Sequence, residues 1–420
     1  MEKNNIVKII YFFFTVTILF LSSIYANLEQ VKNLMGEDNK IILTNLLFDH
    51  AELVINIFNG DGYYQYRHGI KYYLAKLPVL PFIISSLATI SKNLYFIYFV
   101  KNLVFFSIIF FSLSFFCNNF QKKNFFFLIL LISLFIIPHN LHVLLNITFA
   151  DTIVASLLPS LFLLIATNNK KKYFFVSLIL AVLYLTKTSM MFLCIAMPII
   201  IFFLENDSKK KFLPILGVLF AISIWGFFGV IKTGTFPFGS KILSVSSEGM
   251  NIALNKDFHK FYPQKSVDLI KYTQLDNKNY NNEWQIYKYY KNENSTYLKN
   301  NLNRYIKDTF IKIKVILFNI RKDSSFPDND GIFKNPIKPS FIINKIFFNL
   351  SIIIAIFITF KNLKNLRSIK LELYFLTIIS LNSFPLVVGW ATAKHLTGMT
   401  LVSIIYVFIK LSGKKFLKFI

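Results

Sequence analysis

Cysteine, tryptophan and acidic side chains are scarce in this chain of 420 residues: 2 Cys, 3 Trp, and 21 Asp and Glu against 46 Lys and Arg. Both cysteines, Cys117 and Cys194, lie inside apolar stretches, which excludes a disulfide framework and makes them ordinary lipid- or core-facing residues. No internal repeat and no low-complexity linker interrupts the sequence. The short alternating segments of a β-barrel are missing as well. What is abundant is apolar: 55% of residues are hydrophobic, 49 of them Phe, and the mean hydropathy is +0.52. That is far too apolar for a soluble domain of this size. Runs of about 20 apolar residues, enough to cross a hydrocarbon core of roughly 30 Å, recur along the chain. They predict an all-α polytopic membrane protein.

The first run, Val7 to Ala26, follows Lys3 and Lys8. It is longer than a signal-peptide core, and Ile24-Tyr25-Ala26 is a poor small-x-small cleavage site, so it reads as a retained anchor helix. The net charge of +25 is not a nucleic-acid signature. The basic residues are spread over short loops between apolar runs, as topology signals are, with anionic lipid headgroups as their neighbours.

Short basic loops stay cytoplasmic. Here they are the N-terminus, Gln121-Lys122-Lys123, Lys170 to Lys172, Lys209 to Lys211, Lys361 to Lys370 and the tail from Lys410. Ten spans fit between them, at about 7–26, 98–117, 125–142, 151–167, 173–188, 190–204, 212–231, 341–360, 371–389 and 396–410. Both termini are then cytoplasmic and all six basic loops share one face. Leu77 to Ile90 is a short apolar piece with Pro78 and Pro81 at its start, where proline is tolerated in a first helical turn. If it crossed, every later loop would invert, so it is expected to be a re-entrant or interfacial helix within a long outer loop, 27–97. The expected organisation is a transmembrane catalytic module over 1–231, an outer segment over 232–340, and C-terminal transmembrane helices over 341–420. In the outer segment, Trp284, Tyr287, Tyr290, Tyr297, Leu298, Leu302, Tyr305, Ile306, Phe310 and Ile313 recur at helical spacing among lysines. This predicts helices lying against the membrane surface; the competing expectation is a small soluble cap with its own core.

Ionisable residues at membrane depth are costly and usually face a cavity. The topology gathers them on the outer face. Asp49, Glu52, Asp61, Arg67, His68 and Lys71 fall in the first loop, and Lys101 near the start of the second span. His139, His142 and Asp151 bracket a turn, Lys187 ends the fifth span, and Lys394 and His395 precede the last. Such a set suits transfer from a lipid-linked phosphosugar. A carboxylate, Asp49, takes a proton from the acceptor hydroxyl, and cations at Lys101, Lys187, Lys394 and His395 offset charge on the departing phosphate. Against each stands an ordinary role: a lysine at a span end snorkels, an Asp beside a helix caps it, and His-x-x-His at 139–142 is not by itself a metal site. Asp61 suits the turn Gly60-Asp61-Gly62.

The order of these pieces resembles the GT-C glycosyltransferases, in particular bacterial relatives of the dolichyl-phosphate-mannose protein mannosyltransferases and the lipid A aminoarabinose transferases. The likeness is carried by Asp49-x-x-Glu52 through Asn59-Gly60-Asp61-Gly62-Tyr63 and by the proline-started stretch from Leu77. It continues in Asn146-Ile147-Thr148-Phe149-Ala150-Asp151, Leu185-Thr186-Lys187-Thr188, Ser247 to Leu254, and the paired amphipathic helices of 283–318. It implies a GT-C-like fold with Asp49 as catalytic base, Glu52 and Asp151 as further acids of the site, and phosphate-binding roles for Lys101, Lys187, Arg67 and Lys394 or His395. His50 stands where many relatives have a second acid, and Ala393-Lys394-His395 replaces an Arg-Tyr pair, so bidentate phosphate binding is lost there.

The expected donor is a polyprenyl-phosphate sugar, since the active face is the outer one, where nucleotide sugars are absent. The acceptor is a lipid, a polysaccharide or a protein, and nucleic acid is not a partner. No cofactor is implied; Asp49, Glu52 and Asp151 together could hold a divalent metal. Two other classes compete. A lipid-linked glycan flippase would show mid-span charges, broken helices and an internal repeat. An O-antigen polymerase or ligase would lean on Arg and His in its outer loops.

Overall fold

The structure is a computed structural model. It describes residues 3–28, 51–67, 70–74, 76–91, 93–118, 123–135, 137–145, 150–205, 209–237, 282–314, 316–317, 334–363, 366, 368–388 and 393–411. Among these the chain is almost entirely helical. In chain order the helices are α1 (Lys3–Leu28), α2 (Ala51–Asn59), α3 (Val79–Ile90), α4 (Leu94–Cys117), α5 (Lys123–Phe135), α6 (Pro138–Leu145) and α7 (Ala150–Ile165). Then follow α8 (Lys172–Thr186), α9 (Met191–Leu204), α10 (Leu213–Thr233), α11 (Glu283–Lys314), α12 (Lys334–Lys361), α13 (Lys370–Val388) and α14 (Ala393–Leu411).

Four of the described stretches, Tyr95–Cys117, Lys209–Thr233, Ile342–Lys361 and Lys370–Val388, are long and apolar enough to cross a membrane. The number rises to five if the bent pair Phe127–Leu134 and Pro138–Leu145 forms one span. The other apolar helices are shorter, Ala150–Ile165 and Lys172–Thr186 among them.

At the centre stands α7, buried on every side from Asp151 to Ile165. A helix that is apolar all round must be enclosed, and α7 is enclosed by α4, α8 and α14. Its Ser156 and Ser160 hydroxyls donate to the carbonyls of Thr152 and Ser156 four residues earlier. These two hydroxyls of the buried helix are thereby satisfied within it. Two glycines allow close helix approach. A Cβ on Gly398 of α14 would meet Leu158 Cδ1 at 2.8 Å, and one on Gly217 of α10 would meet the Ser177 carbonyl oxygen at 2.9 Å.

The expected continuous span over 125–142 is instead two helices, α5 and α6, meeting at a bend of 80°. Pro138 opens α6, and a proline removes the amide donor that a continuing helix would need. Two carboxamides then fix α6 against α12: Asn140 donates to Asn344 Oδ1 at 3.2 Å and Asn344 to Asn140 Oδ1 at 2.9 Å.

The first loop is folded. Glu52 lies in the first turn of α2, and its Oε1 accepts the Tyr66 amide at 2.7 Å. That bond holds a two-stranded antiparallel ribbon, β1 (Gln65–Arg67) and β2 (Ile70–Tyr72). The ribbon was not expected in an all-α chain; strands of three residues are too short for alternation to reveal them. The turn after α2 uses Gly60 and Gly62 at φ 81 and 107, a region only glycine enters without strain. Tyr63 then stacks on Phe82 of α3 at 5.7 Å and packs edge-on against Trp225 and Phe228 of α10. Within the apolar piece Leu77 to Ile90, residues Val79–Ile90 form helix α3. At 12 residues it spans about 18 Å at 1.5 Å per residue, well short of a hydrocarbon core.

Candidate functional site

The helix ends sort the charged residues into two layers. At one end of the bundle, three residues from distant parts of the chain meet. Asp151 sits in the first turn of α7, where the helix dipole favours a carboxylate. Lys187 is the residue that closes α8; its extended backbone (φ −149, ψ 127) turns the chain out of the helix. His395 lies in the first turn of α14. The Lys187 ammonium pairs with Asp151 Oδ1, and His395 Nε2 stands 3.7 Å from Asp151 Oδ2. Asp151 thus faces a base through each oxygen. Lys187 keeps 22% of its side chain exposed against 9% for Asp151, so the ammonium is the more accessible partner. When His395 is protonated the trio carries a net positive charge, an arrangement that can receive an anionic group.

Beside it, Lys101 is buried on α4 and donates to the Leu144 carbonyl at 3.2 Å. Asn102 donates to Leu145 O at 3.4 Å and to Ser22 Oγ at 3.0 Å. These two side chains satisfy carbonyls at the C-terminus of α6, where the last carbonyls of a helix lack intrahelical donors. His139, also on α6, lies 3.4 Å from the Thr397 hydroxyl, two residues past His395. Helices α4, α6, α7, α8 and α14 therefore converge at this end.

The remaining sequence-derived candidates fall elsewhere. Glu52 is engaged with the ribbon, as described. Arg67 is in β1, opposite Ile70, and Lys394 is in the first turn of α14. The side chains of both lie outside the described residues, as do Asp49, His50, His68, the stretch Asn146 to Phe149, and Ser247 to Leu254. Asp61 is exposed in its turn. Among the described residues no group of three His, Cys, Asp or Glu side chains is placed to hold a metal ion.

The opposite end holds a layer that sequence reasoning missed. Glu205, just past α9, accepts the ammonium groups of Lys172 and Lys370, each at 2.9 Å. It also accepts the hydroxyls of Tyr374 at 3.1 Å and Tyr173 at 3.3 Å. Burial raises the Glu205 pKa, but the two lysines outweigh it and hold the carboxyl below its usual range. Nearby, Lys410 pairs with the fully buried Glu372, which also accepts the Tyr406 hydroxyl at 3.4 Å. The available signal was an acid directly after one apolar run, with lysines directly before others.

Two further buried ionisable residues belong to α11. Glu283 begins it and accepts the Leu74 amide at 3.3 Å; burial among Trp284, Tyr287 and the first loop raises its pKa to about 7. Near the other end, Lys312 donates to the Val388 carbonyl at 3.3 Å, where α13 ends.

Comparison of the chain with protein-family models, with curated proteins and with solved structures gives no match.

Proposed function

We propose that this chain is a GT-C-type membrane glycosyltransferase. It transfers a sugar from a polyprenyl-phosphate donor to an acceptor on the outer face of a cytoplasmic membrane. In this reading ten helices or helix pairs span the bilayer, both termini are cytoplasmic, and the Asp151 end of the bundle faces outward. The observation that carries the reading is the meeting of Asp151, Lys187 and His395. A topology drawn only from lysine-rich loops assigned these three residues to one face, and in the fold they touch. The lysines and acids of the opposite layer, Lys172, Glu205, Lys370, Glu372 and Lys410, then fall together on the cytoplasmic side, in keeping with basic cytoplasmic loops.

In the proposed reaction Asp49, two residues ahead of α2, removes the proton from the acceptor hydroxyl as that oxygen attacks the anomeric carbon. The bond from that carbon to phosphate breaks, and the phosphate leaves with the pair of electrons. Lys187 and His395, oriented by Asp151, offset its charge; Arg67 and Lys394 complete the cationic face, and Lys101, expected there too, is buried behind it on the Leu144 carbonyl. Glu52 positions the loop through Tyr66.

The test incubates membranes containing the protein with radiolabelled polyprenyl-phosphate sugars and follows the label. Transfer to lipid, polysaccharide or protein supports the proposal. Movement of intact lipid-linked glycan across the vesicle without transfer makes it a flippase, and transfer only of a preassembled oligosaccharide, with no transfer of the single sugar, makes it a polymerase or ligase.

A further inference from the structure

Helix α11 changes character at Asn301, whose backbone (φ −136, ψ 28) leaves the helical region. Before that kink, Ile286, Tyr287 and Tyr290 are buried against Tyr72 of the ribbon. The exposed side chains there, Lys288, Lys291, Asn292, Ser295 and Lys299 among them, are polar, and no large apolar residue is exposed from 283 to 300. This half is a protein-docked cap.

After the kink the surface divides into three sectors. Tyr305 and Asp308 are half-buried and Lys312 is buried, so this side faces protein. Leu302, Ile306, Phe310 and Ile313 are exposed at 54, 46, 67 and 37%. At 3.6 residues per turn they fall within an arc of about 80°. Asn303, Lys307 and Lys314, all exposed, occupy the next sector, and Arg304 stands at its far edge, 3.7 Å from Asp308 of the protein-facing side. A helix with one side on protein, one apolar and one cationic fits the plane where bilayer meets water.

The depth of this half is set by two contacts. Lys312 donates to the carbonyl of Val388, the terminal residue of the membrane-length helix α13. Just past α11, Ile316 is buried in the main core and the Leu317 carbonyl accepts from Asn349 of α12 at 3.1 Å. The chain therefore leaves α11 by descending into the bundle, and residues 302–314 run along its rim. We propose that residues 302–314 are a lipid-binding helix lying in the headgroup layer of the bilayer. Leu302, Ile306, Phe310 and Ile313 enter the acyl boundary, and Arg304, Lys307 and Lys314 meet headgroup phosphates. Through the first half of α11, docked on Tyr72 and Leu74, this helix ties the first loop to the membrane surface, whatever chemistry the bundle performs.

The test uses the full chain in phospholipid nanodiscs, with Cys117→Ala and Cys194→Ala, and a nitroxide label placed in turn at positions 302, 306, 310 and 313. Labels at 307 and 314 serve as controls. Power-saturation measurements compare collisions with oxygen, which concentrates in lipid, and with a water-soluble nickel chelate. The expected result is a shift toward oxygen at the four apolar positions and toward nickel at 307 and 314. Nickel access at all six positions overturns the proposal in favour of an aqueous cap. Exclusion of both reagents at the four apolar positions overturns it in favour of a protein-covered surface.

Discussion

Gly398 of α14 lies against Ala155 of α7 so closely that a Cβ on the glycine would stand 3.3 Å from the Ala155 Cα. The contact is one turn from His395 on one helix and one turn from Asp151 on the other. The absence of a side chain at Gly398 thus brings the histidine within reach of the carboxylate. Gly398→Val should push α14 away from α7 and cost about 1–3 kcal/mol, the usual penalty for overpacking. Gly398→Ala should cost less. Unfolding in detergent measures the stability, and the sugar-transfer assay should show the larger loss for valine. Wild-type behaviour of both variants would break the link between this contact and the site.

Removing one member of the Asp151–Lys187 pair leaves the other charge without its partner. Asp151→Asn and Lys187→Met should each lower stability by up to about 3 kcal/mol, below the fully buried range because Lys187 is partly exposed. The double variant Asp151→Leu with Lys187→Met should recover most of that stability while remaining inactive. A double variant no more stable than Asp151→Asn would show that the two side chains are not energetically coupled.

Asp49→Asn keeps the size of the side chain and deletes the base. Transfer should fall by about 10²–10⁴-fold, the range expected for general-base catalysis, with expression and donor binding retained. Near-normal transfer in the membrane assay would remove Asp49 from its proposed role.

Glu283 carries a pH dependence whose sign is set by its burial. Its pKa rises from 4.5 to about 7 in the folded chain, so the folded state holds the proton more tightly than the unfolded one. Its contribution to stability is complete below about pH 4.5, declines as pH rises toward 7 and is lost above it. Docking of α11 on the first loop should accordingly loosen as pH rises from about 4.5 to 7, with little further change above that. Limited proteolysis of α11, run beside Glu283→Gln at each pH, should show a loosening that the glutamine variant lacks. Equal pH response in both proteins would assign the effect to another group.

The Glu205 layer should matter for stability alone. Glu205→Gln removes the charge that faces Lys172 and Lys370 and should cost about 3–5 kcal/mol, as for other broken buried pairs. Sugar transfer per folded molecule should be unchanged. Loss of transfer out of proportion to folded protein would mean that this layer takes part in the chemistry.

Helix positions were largely legible because two signals agreed. Apolar runs marked the helices and lysines marked their ends, so α4, α7, α8, α9, α10, α13 and α14 fall within a few residues of expectation. The bend was signalled by Pro138-His139-Asn140, which interrupts the apolar run, but the apolar residues on either side, Ile137 and Leu141, allowed a single span to be drawn across it. At the site, the sequence placed Asp151, Lys187 and His395 on one face, but not in contact. That step depends on Gly398 and on side-chain packing between helices far apart in the chain. Glu205 is followed by Asn206 and Asp207 in the sequence, and nothing local reveals that lysines from two other helices reach it. Lys312 is one of several lysines spaced along α11, and its burial follows from the end of α13 reaching its side of the helix.

The reciprocal bond between Asn140 and Asn344 joins residues 204 positions apart. At roughly 5–20 residues per second of synthesis, the second carboxamide emerges on the order of 10–40 s after the first. His395 and Gly398 follow later still. During that interval α6 and α7 are already made while the helix that completes each contact does not yet exist. Helices α12 and α14, made from residue 334 onward, therefore close the bundle last, and until they emerge the sides of α6 and α7 that they cover have no partner.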